Sequence, residues 1–473
     1  MGSWATFGGD LHLDLSAGRS RGLGVRAALE DALRCAVREG RLPAGTRLPS
    51  SRALSADLGI ARNTVAEAYT QLVAEGWLAS RQGSGTVVAE RGPQPEPPAA
   101  PPAEAGPAAA RHDLMPGSPD LSQFPRSAWL AATRRALASA PHTAFGYGDP
   151  RGRIELRRAL ADYLARVRGV RTDPDRLLVC SGYTQGLGLV CAALHGRGLR
   201  SVAVEEYGLP PQRAVIAAAG LTAVPLPLDG DGARTDLLPA TGAGLAVLTP
   251  AHQFPTGAAL RAARRAAAVA WARAYDGVVL EDDYDGEFRY DRQAVGALQA
   301  LDPERVVYAG TASKSLAPGV RLGWLALPSA LVEPVLERKR LADGQTGVLE
   351  QLALAELITS GDYDRHIRRS RLRYRRRRDQ LVAALARRAP QVRVTGINAG
   401  LHAVLELPSG APDEAELLRR AERAGVRLHA RGWCRAAGAD GPAAGSALVI
   451  GFGTPSDHAF PAALEALCAL VAA

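Results

Sequence analysis

The stretch Thr311-Ala-Ser-Lys-Ser-Leu-Ala-Pro-Gly-Val-Arg321 contains Lys314, one of only two lysines in a chain that holds 57 lysines and arginines together. An arginine side chain stays protonated, whereas a desolvated lysine amine can act as a nucleophile and form a Schiff base. In a chain that uses arginine almost everywhere, Lys314 is therefore predicted to be kept for its amine. The other lysine, Lys339, lies in the charged run Glu337–Arg340 and is expected to be a solvated surface residue.

The whole-chain composition predicts a multidomain globular protein. At 473 residues the chain exceeds one ordinary domain, and 47% of the residues are hydrophobic against 22% charged. No apolar run reaches the ~20 residues that span a bilayer, and the N-terminus lacks the features of a secretory signal. The five cysteines are scattered, which predicts reduced thiols in a cytoplasmic protein and no metal site. The net charge of +9 permits a polyanionic partner.

A segment rich in proline and alanine divides the chain. Residues 91–113 show no amphipathic period, which is typical of a partly extended linker. This linker separates a head, residues 1–90, from a body, residues 114–473. The body has the size of a large α/β enzyme domain.

The head carries the pattern of a winged helix-turn-helix. A first helix is predicted over Leu23–Glu39, a second begins at Ser50-Ser51, and a third covers Arg62–Glu75. The segment Leu78–Val88 then predicts two short strands around a glycine-rich turn at 82–85. In such a module the first turn of the third helix enters the major groove of DNA.

The third helix begins with side chains that suit DNA. Arg62 suits guanine, Asn63 suits adenine, and Thr64 can meet a phosphate or a thymine methyl group. Arg52 starts the preceding helix, where a phosphate contact is natural. An alternative is a three-helix module that binds another protein, but the agreement of turn, recognition helix and wing favours DNA.

The run from Leu48 to Leu78, followed by Gly83-Ser-Gly-Thr-Val87, resembles the GntR family of winged-helix transcription regulators. The resemblance covers nearly all of residues 23–88. It implies double-stranded operator DNA as a partner. The DNA contacts that it implies are Arg52, Arg62, Asn63, Thr64, Gln82 and Gly83.

The body alternates short apolar strands with helices, which predicts a doubly wound α/β fold with a largely parallel sheet. Ligands of such sheets bind at the carboxyl ends of the strands. Residues 361–473 are predicted to form a smaller α+β lobe. The predicted strands are Leu177–Cys180, Ser201–Val204, Leu245–Leu248, Val278–Leu280, Val306–Ala309 and Leu322–Leu327.

Two loops after predicted strands carry groups that suit one ligand. Ser181–Gly186 opens a helix whose N–H groups and hydroxyls can hold a phosphate. In Val278–Gly286 a carboxylate can keep a pyridine nitrogen protonated, and a tyrosine two residues on can bond a ring hydroxyl. A metal site of Glu281, Asp282 and Asp283 is disfavoured, because neighbouring side chains of a strand point to opposite faces.

Two further pieces complete the candidate site. Beside Lys314, Arg321 can bind a phosphate with two parallel hydrogen bonds. The loop Pro250–Gly257 follows a strand and can cover the ring of a ligand.

In order and spacing these pieces resemble the fold-type I aminotransferases over residues 115–473. The resemblance implies pyridoxal 5′-phosphate (PLP) as cofactor, with Lys314 as the Schiff-base lysine, Asp282 at the pyridine nitrogen and Tyr284 at the ring hydroxyl. The phosphate ligands that it implies are Gly182, Tyr183, Thr184, Thr311, Ser313 and Arg321. Tyr147 matches the tyrosine that these enzymes lend to the phosphate across a homodimer.

The sequence departs from the aminotransferase pattern at three places. Phe254 replaces the asparagine that contacts the ring hydroxyl, and Leu209 takes the place of the aromatic lid, unless Tyr207 shifts to fill it. Val449 stands where the arginine that clamps the substrate carboxylate belongs, which weakens the orientation of an α-amino acid. Candidate replacements for that arginine are His402, Arg431 and Arg435.

A GntR head joined by a long linker to such a body is the plan of the MocR regulators, and the chain is identified as a member of that subfamily. The resemblance implies a homodimeric, PLP-binding transcription regulator with no membrane partner. We expect PLP itself to be the signal, in a regulator of the pyridoxine-biosynthesis type that controls vitamin B6 synthesis genes. Two alternatives stay open: sensing of an amine or amino acid through an external aldimine, and a working PLP-dependent aminotransferase.

A nearly continuous basic run covers Arg365–Arg378. The favoured interpretation is a solvated helix face, with Ile367, Leu372 and Tyr374 turned inward. The alternative is a second DNA surface.

Overall fold

The computed structural model describes Leu13, Leu15 and residues 22–81, 85–90, 111–290, 295–439 and 445–472. It divides into two compact units, Met1–Gly106 and Pro107–Ala473, which contain the predicted head and the predicted body; from here on the two names denote these units. The predicted wing contacts Gln82 and Gly83, and most of the predicted linker, lie outside the described residues. Within the described part of the chain, every helix is too short or too polar to cross a membrane.

The head consists of three helices and a hairpin. They are α1 (Val25–Arg38), α2 (Ser51–Leu58), α3 (Arg62–Ala74), β1 (Leu78–Arg81) and β2 (Gly85–Val88), with the two strands antiparallel. These bounds confirm the predicted order of helix, short turn, helix and hairpin, with helix ends displaced by one or two residues.

Local contacts explain why the head folds in this way. The Ser50 hydroxyl accepts a hydrogen bond from the Ala53 N–H and caps α2. Gly59 closes that helix at a φ of 63°, a conformation that glycine adopts readily. The Tyr69 hydroxyl donates to the carbonyl of Pro49 (3.0 Å), which ties α3 to the entry of α2. The apolar face of the helices is buried together, with Leu29, Leu33, Leu54, Leu58, Val65 and Leu72 at its centre.

The elements of the body follow in chain order. Its helices are α4 (Arg126–Ser139), α5 (Ile154–Arg168), α6 (Tyr183–Gly196), α7 (Pro210–Ala218), α8 (Ala262–Ala274), α9 (Ser329–Ala342), α10 (Val348–Thr359), α11 (Asp362–Arg388), α12 (Glu414–Arg423) and α13 (Phe460–Ala472). Its strands are β3 (His112–Asp113), β4 (Leu177–Cys180), β5 (Ser201–Glu205), β6 (Thr222–Leu226), β7 (Leu228–Asp229), β8 (Gly232–Ala233), β9 (Leu245–Leu248), β10 (Val278–Asp283), β11 (Val306–Thr311), β12 (Gly323–Ala326), β13 (Arg393–Thr395), β14 (His402–Glu406), β15 (Val426–Arg427), β16 (His429–Ala430) and β17 (Ala447–Gly451).

The large sheet of the body confirms the predicted α/β fold. In the described chain its strand order is β4-β12-β11-β10-β9-β5-β6. Every pairing is parallel except those of β12, which runs antiparallel to both of its neighbours. Each predicted strand lies in this sheet, and β6 is an addition that the sequence pattern did not predict. The parallel strands bring the loops after β4, β5, β9, β10 and β11 to one edge.

The smaller lobe is an α+β layer, as predicted. Its sheet has the order β13-β14-β17-β16, and α11 and α13 pack against each other beside it. The strand β3, at the start of the body, pairs in parallel with β15 of this lobe.

The predicted burial of residues on two charged helices was partly wrong for α11 and wrong for Lys339 on α9. On α11, Ile367 and Tyr374 are buried as expected, but Leu372 is exposed. Arg377, within the predicted solvated run, is buried instead and donates to the carboxylate of Asp120 (2.8 Å). Lys339 is fully buried, so its prediction as a surface residue was wrong.

The strand β10 directs its three acids to different partners. Glu281 accepts hydrogen bonds from the backbone N–H groups of Leu298 and Gln299. Asp283 accepts from the guanidinium of Arg168 (2.6 Å) and from a tyrosine hydroxyl. Asp282 alone lines the cavity described below. The three carboxylates therefore do not converge, in agreement with the alternation of side chains along a strand.

The buried pair of Arg168 and Asp283 provides a test of the body's stability. We expect Arg168→Met to lower the free energy of unfolding by about 3–5 kcal/mol, because it leaves a buried carboxylate without its counter-ion. The control is Arg166→Met on the same helix, whose pair with Asp364 is exposed and is expected to contribute less than about 1 kcal/mol. Urea unfolding followed by circular dichroism measures both, and equal effects would contradict the prediction.

Candidate functional site

A cavity of about 190 Å³ lies at the carboxyl ends of the parallel strands. Eight of the predicted cofactor residues line it, namely Tyr183, Thr184, Asp282, Tyr284, Thr311, Ser313, Lys314 and Arg321. Gly182 lies against the guanidinium of Arg321 at the edge of the cavity. Residues separated by more than 130 positions in the sequence therefore form one site.

An amine and a carboxylate share the cavity. The Lys314 Nζ donates to the carbonyl of Gly117, and burial lowers the pKa of this amine, while the charge of Asp282 opposes the change. Burial raises the pKa of Asp282 to about 8, although the Lys314 charge acts in the opposite direction. Asp282 Oδ2 accepts from the Gln212 amide (3.1 Å). Its Oδ1 is buried and accepts no well-formed hydrogen bond from the described residues, so it is available to a ligand donor.

A tight turn between β4 and α6 forms the anion-binding end of the cavity. Gly182 precedes the first turn of α6 with a φ of 92°, and a Cβ there would approach the Arg321 guanidinium to 3.3 Å. Arg321 itself adopts a left-handed φ of 55° and donates to the carbonyl of Ser181. Across the turn, the Thr311 hydroxyl donates to that of Ser313 (2.9 Å). Helix N–H groups, hydroxyls and a guanidinium together suit a phosphate.

The cavity therefore suits a phosphorylated aldehyde that carries a basic ring nitrogen. Lys314 supplies a depressed-pKa amine for the aldehyde carbon, and Asp282 supplies an acceptor for a ring N–H. The turn at Gly182 supplies the phosphate site.

The residues at the positions of the aromatic lid and of the carboxylate clamp, Leu209 and Val449, are both apolar. Leu209 lines the cavity, whereas Tyr207 does not. Tyr207 packs instead in a buried apolar cluster with Phe254 and Val449. The position expected for a carboxylate-binding arginine thus belongs to an apolar core.

The candidate replacements for that arginine differ in their placement. His402 lines the cavity, but Arg431 and Arg435 do not. Arg431 donates to the carbonyl of Gly445, and Arg435 pairs with Glu206. The sequence reading missed Arg213, which lines the cavity and donates to backbone carbonyls, for example that of Gly208.

The sequence indicated His402 as a candidate replacement for the arginine, but it did not predict the buried cluster that His402 forms with His252 and Asp285. His252 Nδ1 bonds to Asp285 Oδ2 at 2.8 Å, and His402 Nε2 bonds to the Pro255 carbonyl at 3.1 Å. The Tyr284 hydroxyl donates to the His252 carbonyl (2.9 Å). Burial and the neighbouring His252 lower the pKa of His402 well below its usual value. His252 and Asp285 lie in loops that follow β9 and β10, whereas His402 is the first residue of β14 in the smaller lobe.

Tyr147 lies outside the cavity and is fully exposed. Its flanking residues are held by one side chain, since the Gln345 amide accepts from the Gly148 N–H (2.6 Å) and donates to the Gly146 carbonyl (3.3 Å). An ordered, exposed phenol of this kind is suited to a contact with another subunit, and its role stays a prediction.

The head presents its predicted contacts to solvent. Arg52, Arg62 and Asn63 are exposed, and Thr64 is partly exposed. Within the described residues, Arg52 and Arg62 form no ion pair with an acidic side chain, which leaves both guanidinium groups available to a polyanion.

Comparison with known proteins gives a family match for the head and another for the body. Residues 26–88 match the bacterial regulatory proteins of the gntR family, and residues 116–436 match the class I and II aminotransferases. The chain belongs to the MocR subfamily of GntR transcription regulators. This MocR-type chain is 34% identical to the pyridoxine biosynthesis regulator PdxR of Corynebacterium glutamicum, over 80% of this chain and 83% of the relative.

Two further similarities concern a named regulator and a solved enzyme. The MocR-type chain is 32% identical to the probable rhizopine catabolism regulatory protein MocR of Rhizobium meliloti, over 85% of each protein. Its fold is similar to that of an archaeal alanine:glyoxylate aminotransferase, with a TM-score of 0.68 and 26% identity. That similarity covers 76% of this chain and 90% of the enzyme.

Substitutions in the head of this MocR-type protein separate positioning from base recognition. We expect Arg52→Ala to weaken binding to all DNA sequences and to reduce the slope of log affinity against log salt by about 1. Asn63→Ala should instead lose about 1–3 kcal/mol of discrimination at one base pair. The control is Thr70→Ala, an exposed residue later in α3. Fluorescence anisotropy with operator and random DNA measures these effects, and identical changes for Arg52 and Asn63 variants would contradict them.

The raised pKa of Asp282 makes stability depend on pH. Between pH 3.8 and about 8 the folded cofactor-free protein holds a proton that the unfolded chain has lost. The free energy of unfolding contributed by Asp282 therefore falls as pH rises through this range. Relative to Asp282→Asn, the wild-type protein should lose stability with rising pH, as measured by urea unfolding at a series of pH values. Parallel curves for the two proteins would refute this.

Proposed function

We propose that the body binds PLP in the cavity around Lys314 and that PLP occupancy is the signal that changes the affinity of the head for operator DNA. The observation that carries this proposal is the contrast between two parts of the cavity. The groups directed at a cofactor are assembled, whereas Val449 occupies the position of the substrate clamp within a buried apolar cluster. The similarity to PdxR favours genes of vitamin B6 synthesis as targets.

Different residues of the cavity would bind different parts of PLP. Lys314 is the attachment point, and the unfilled Oδ1 of Asp282 is the acceptor for the ring nitrogen. Gly182, Ser313 and Arg321 hold the phosphate. When bound, PLP supplies an aldehyde that joins reversibly to amines and a ring that withdraws electrons.

Coupling to DNA requires PLP to favour one of two conformations of the protein. Bound PLP would contact helix α6 and strands β10 and β11 at the same time. It would therefore favour a conformation in which these three elements lie together. We further propose that the body forms a homodimer, to which Tyr147 contributes through its exposed segment. Because its partner is operator DNA, we place the protein in the cytoplasm.

A second candidate function is sensing of an amine or amino acid. The observation that favours it is Arg213, which lines the cavity and has no carboxylate partner within the described residues. Burial lowers the pKa of this guanidinium, as expected for a cation without a counter-ion. A carboxylate on an effector would supply that counter-ion. A working aminotransferase is less favoured, because Val449 removes the clamp that orients an α-amino acid.

The test uses the cofactor-stripped protein and its own upstream DNA. Titration of PLP should change the DNA affinity by at least about fivefold, the lower end of ordinary allosteric coupling. Lys314→Ala should abolish both this change and the covalent retention of PLP after borohydride reduction, measured by mass spectrometry. Arg340→Met, an exposed residue outside the cavity, is the matched control.

Other outcomes identify the competing functions. If PLP leaves the DNA affinity unchanged but one member of an amine panel changes it, the second candidate function replaces the proposal. Steady turnover of an amino donor with a keto acid, without any effect on DNA binding, would identify the body as an enzyme.

A further inference from the structure

The second lysine of the chain is buried beside the phosphate-binding turn. Lys339, on α9, has no exposed surface. Its ammonium lies 2.7 Å from Asp343 Oδ1, and it donates to Thr346 Oγ1 (2.8 Å) and to Gln185 Oε1 (3.3 Å). A buried ammonium needs such partners, because its removal from water is strongly unfavourable unless hydrogen bonds and a counter-ion compensate.

The contact with Gln185 links this ammonium to the turn. The same Gln185 Oε1 accepts from the Ser181 N–H (2.7 Å), while the Gln185 Nε2 donates to Asp343 Oδ2 (2.8 Å). Lys339 and Asp343 together therefore fix which way the Gln185 amide faces. Ser181 in turn holds Arg321 through its carbonyl.

A second contact reaches the strand that leads into the turn. The Thr346 hydroxyl, which accepts from Lys339, donates to the carbonyl of Val179 in β4 (3.2 Å). On the opposite side, a Cβ built on Gly323 of β12 would approach the backbone of Gly182 to 2.9 Å. The turn is therefore confined between β12 and the groups that Lys339 orients.

We propose that Lys339 is a positioning residue for the phosphate of the ligand. Its ammonium orients Gln185, and Gln185 holds Ser181 and the following turn in the conformation that accepts the phosphate. This inference rests on the proposed function only in that the cavity takes a phosphorylated ligand.

The chemistry of the side chain explains why a lysine stands here. An ammonium has three donors that diverge around one atom, and Lys339 uses them on Asp343, Thr346 and Gln185. A guanidinium is planar and larger, with its donors in a fixed fork, so it cannot reproduce this arrangement in an enclosed space. The two lysines of an arginine-rich chain thus serve the two ends of one ligand.

The test compares PLP with pyridoxal, which lacks the phosphate. We expect Lys339→Met to weaken PLP binding to the full-length protein about tenfold or more, since oriented hydrogen bonds to a charged group are lost. Pyridoxal binding, followed by absorbance, should change by less than about twofold, because its aldehyde and ring contacts remain. Equal losses for both ligands, or no loss for PLP, would overturn the inference.

Two further variants show whether a loss of binding comes from misfolding, and the wild-type protein separates this inference from the proposed function. Gln185→Ala breaks the link but keeps the pair of Lys339 with Asp343, and it should show the same phosphate-selective loss. Arg340→Met, next to Lys339 but exposed, should bind both ligands as the wild-type protein does. Normal PLP binding by Gln185→Ala would overturn the inference. A wild-type protein that binds PLP without a change in DNA affinity would refute only the proposed signal.

Discussion

The alternation of side chains along β10 is the constraint on which the site depends. Glu281 and Asp283 each have buried hydrogen-bond partners of their own, and the strand itself pairs in parallel with β9 and β11. Asp282, between them, is the one acid of these three that lines the cavity. Of these three acids only one therefore enters the cavity, where burial raises its pKa, whereas three converging carboxylates would have repelled one another or attracted a metal.

The parts of the fold and site that follow from local sequence were predictable. The strands of the large sheet and the three helices of the head follow from periodicity and capping residues such as Ser50. The residues around Lys314 and Asp282 could be assigned to one cavity because parallel strands end at one edge of their sheet. The wing tip at Gln82 lies outside the described residues, so its contact stays a prediction.

The rest depends on contacts between distant segments, which a local pattern does not reveal. Lys339 resembles a surface residue within its charged run, and its burial depends on the way the chain folds Asp343, Thr346 and the distant Gln185 around its ammonium. The burial of Leu372 and Arg377 was mispredicted for the same reason, because the elements packed against the basic helix α11 determine which of its faces is buried. Arg213 on α7 and the cluster of His252, Asp285 and His402 likewise depend on separate elements that meet only in the folded protein.

The pairing of β3 with β15 has a mechanical consequence. Besides the two-residue ladder, the Leu114 N–H donates to the Arg427 carbonyl (2.8 Å), and Asp113 forms an ion pair with Arg427. The point where the chain enters the body is thus fastened to the smaller lobe, and Gly117, three residues after Leu114, accepts from Lys314 at the cavity. One short segment of the chain therefore joins the smaller lobe directly to the amine of the cavity.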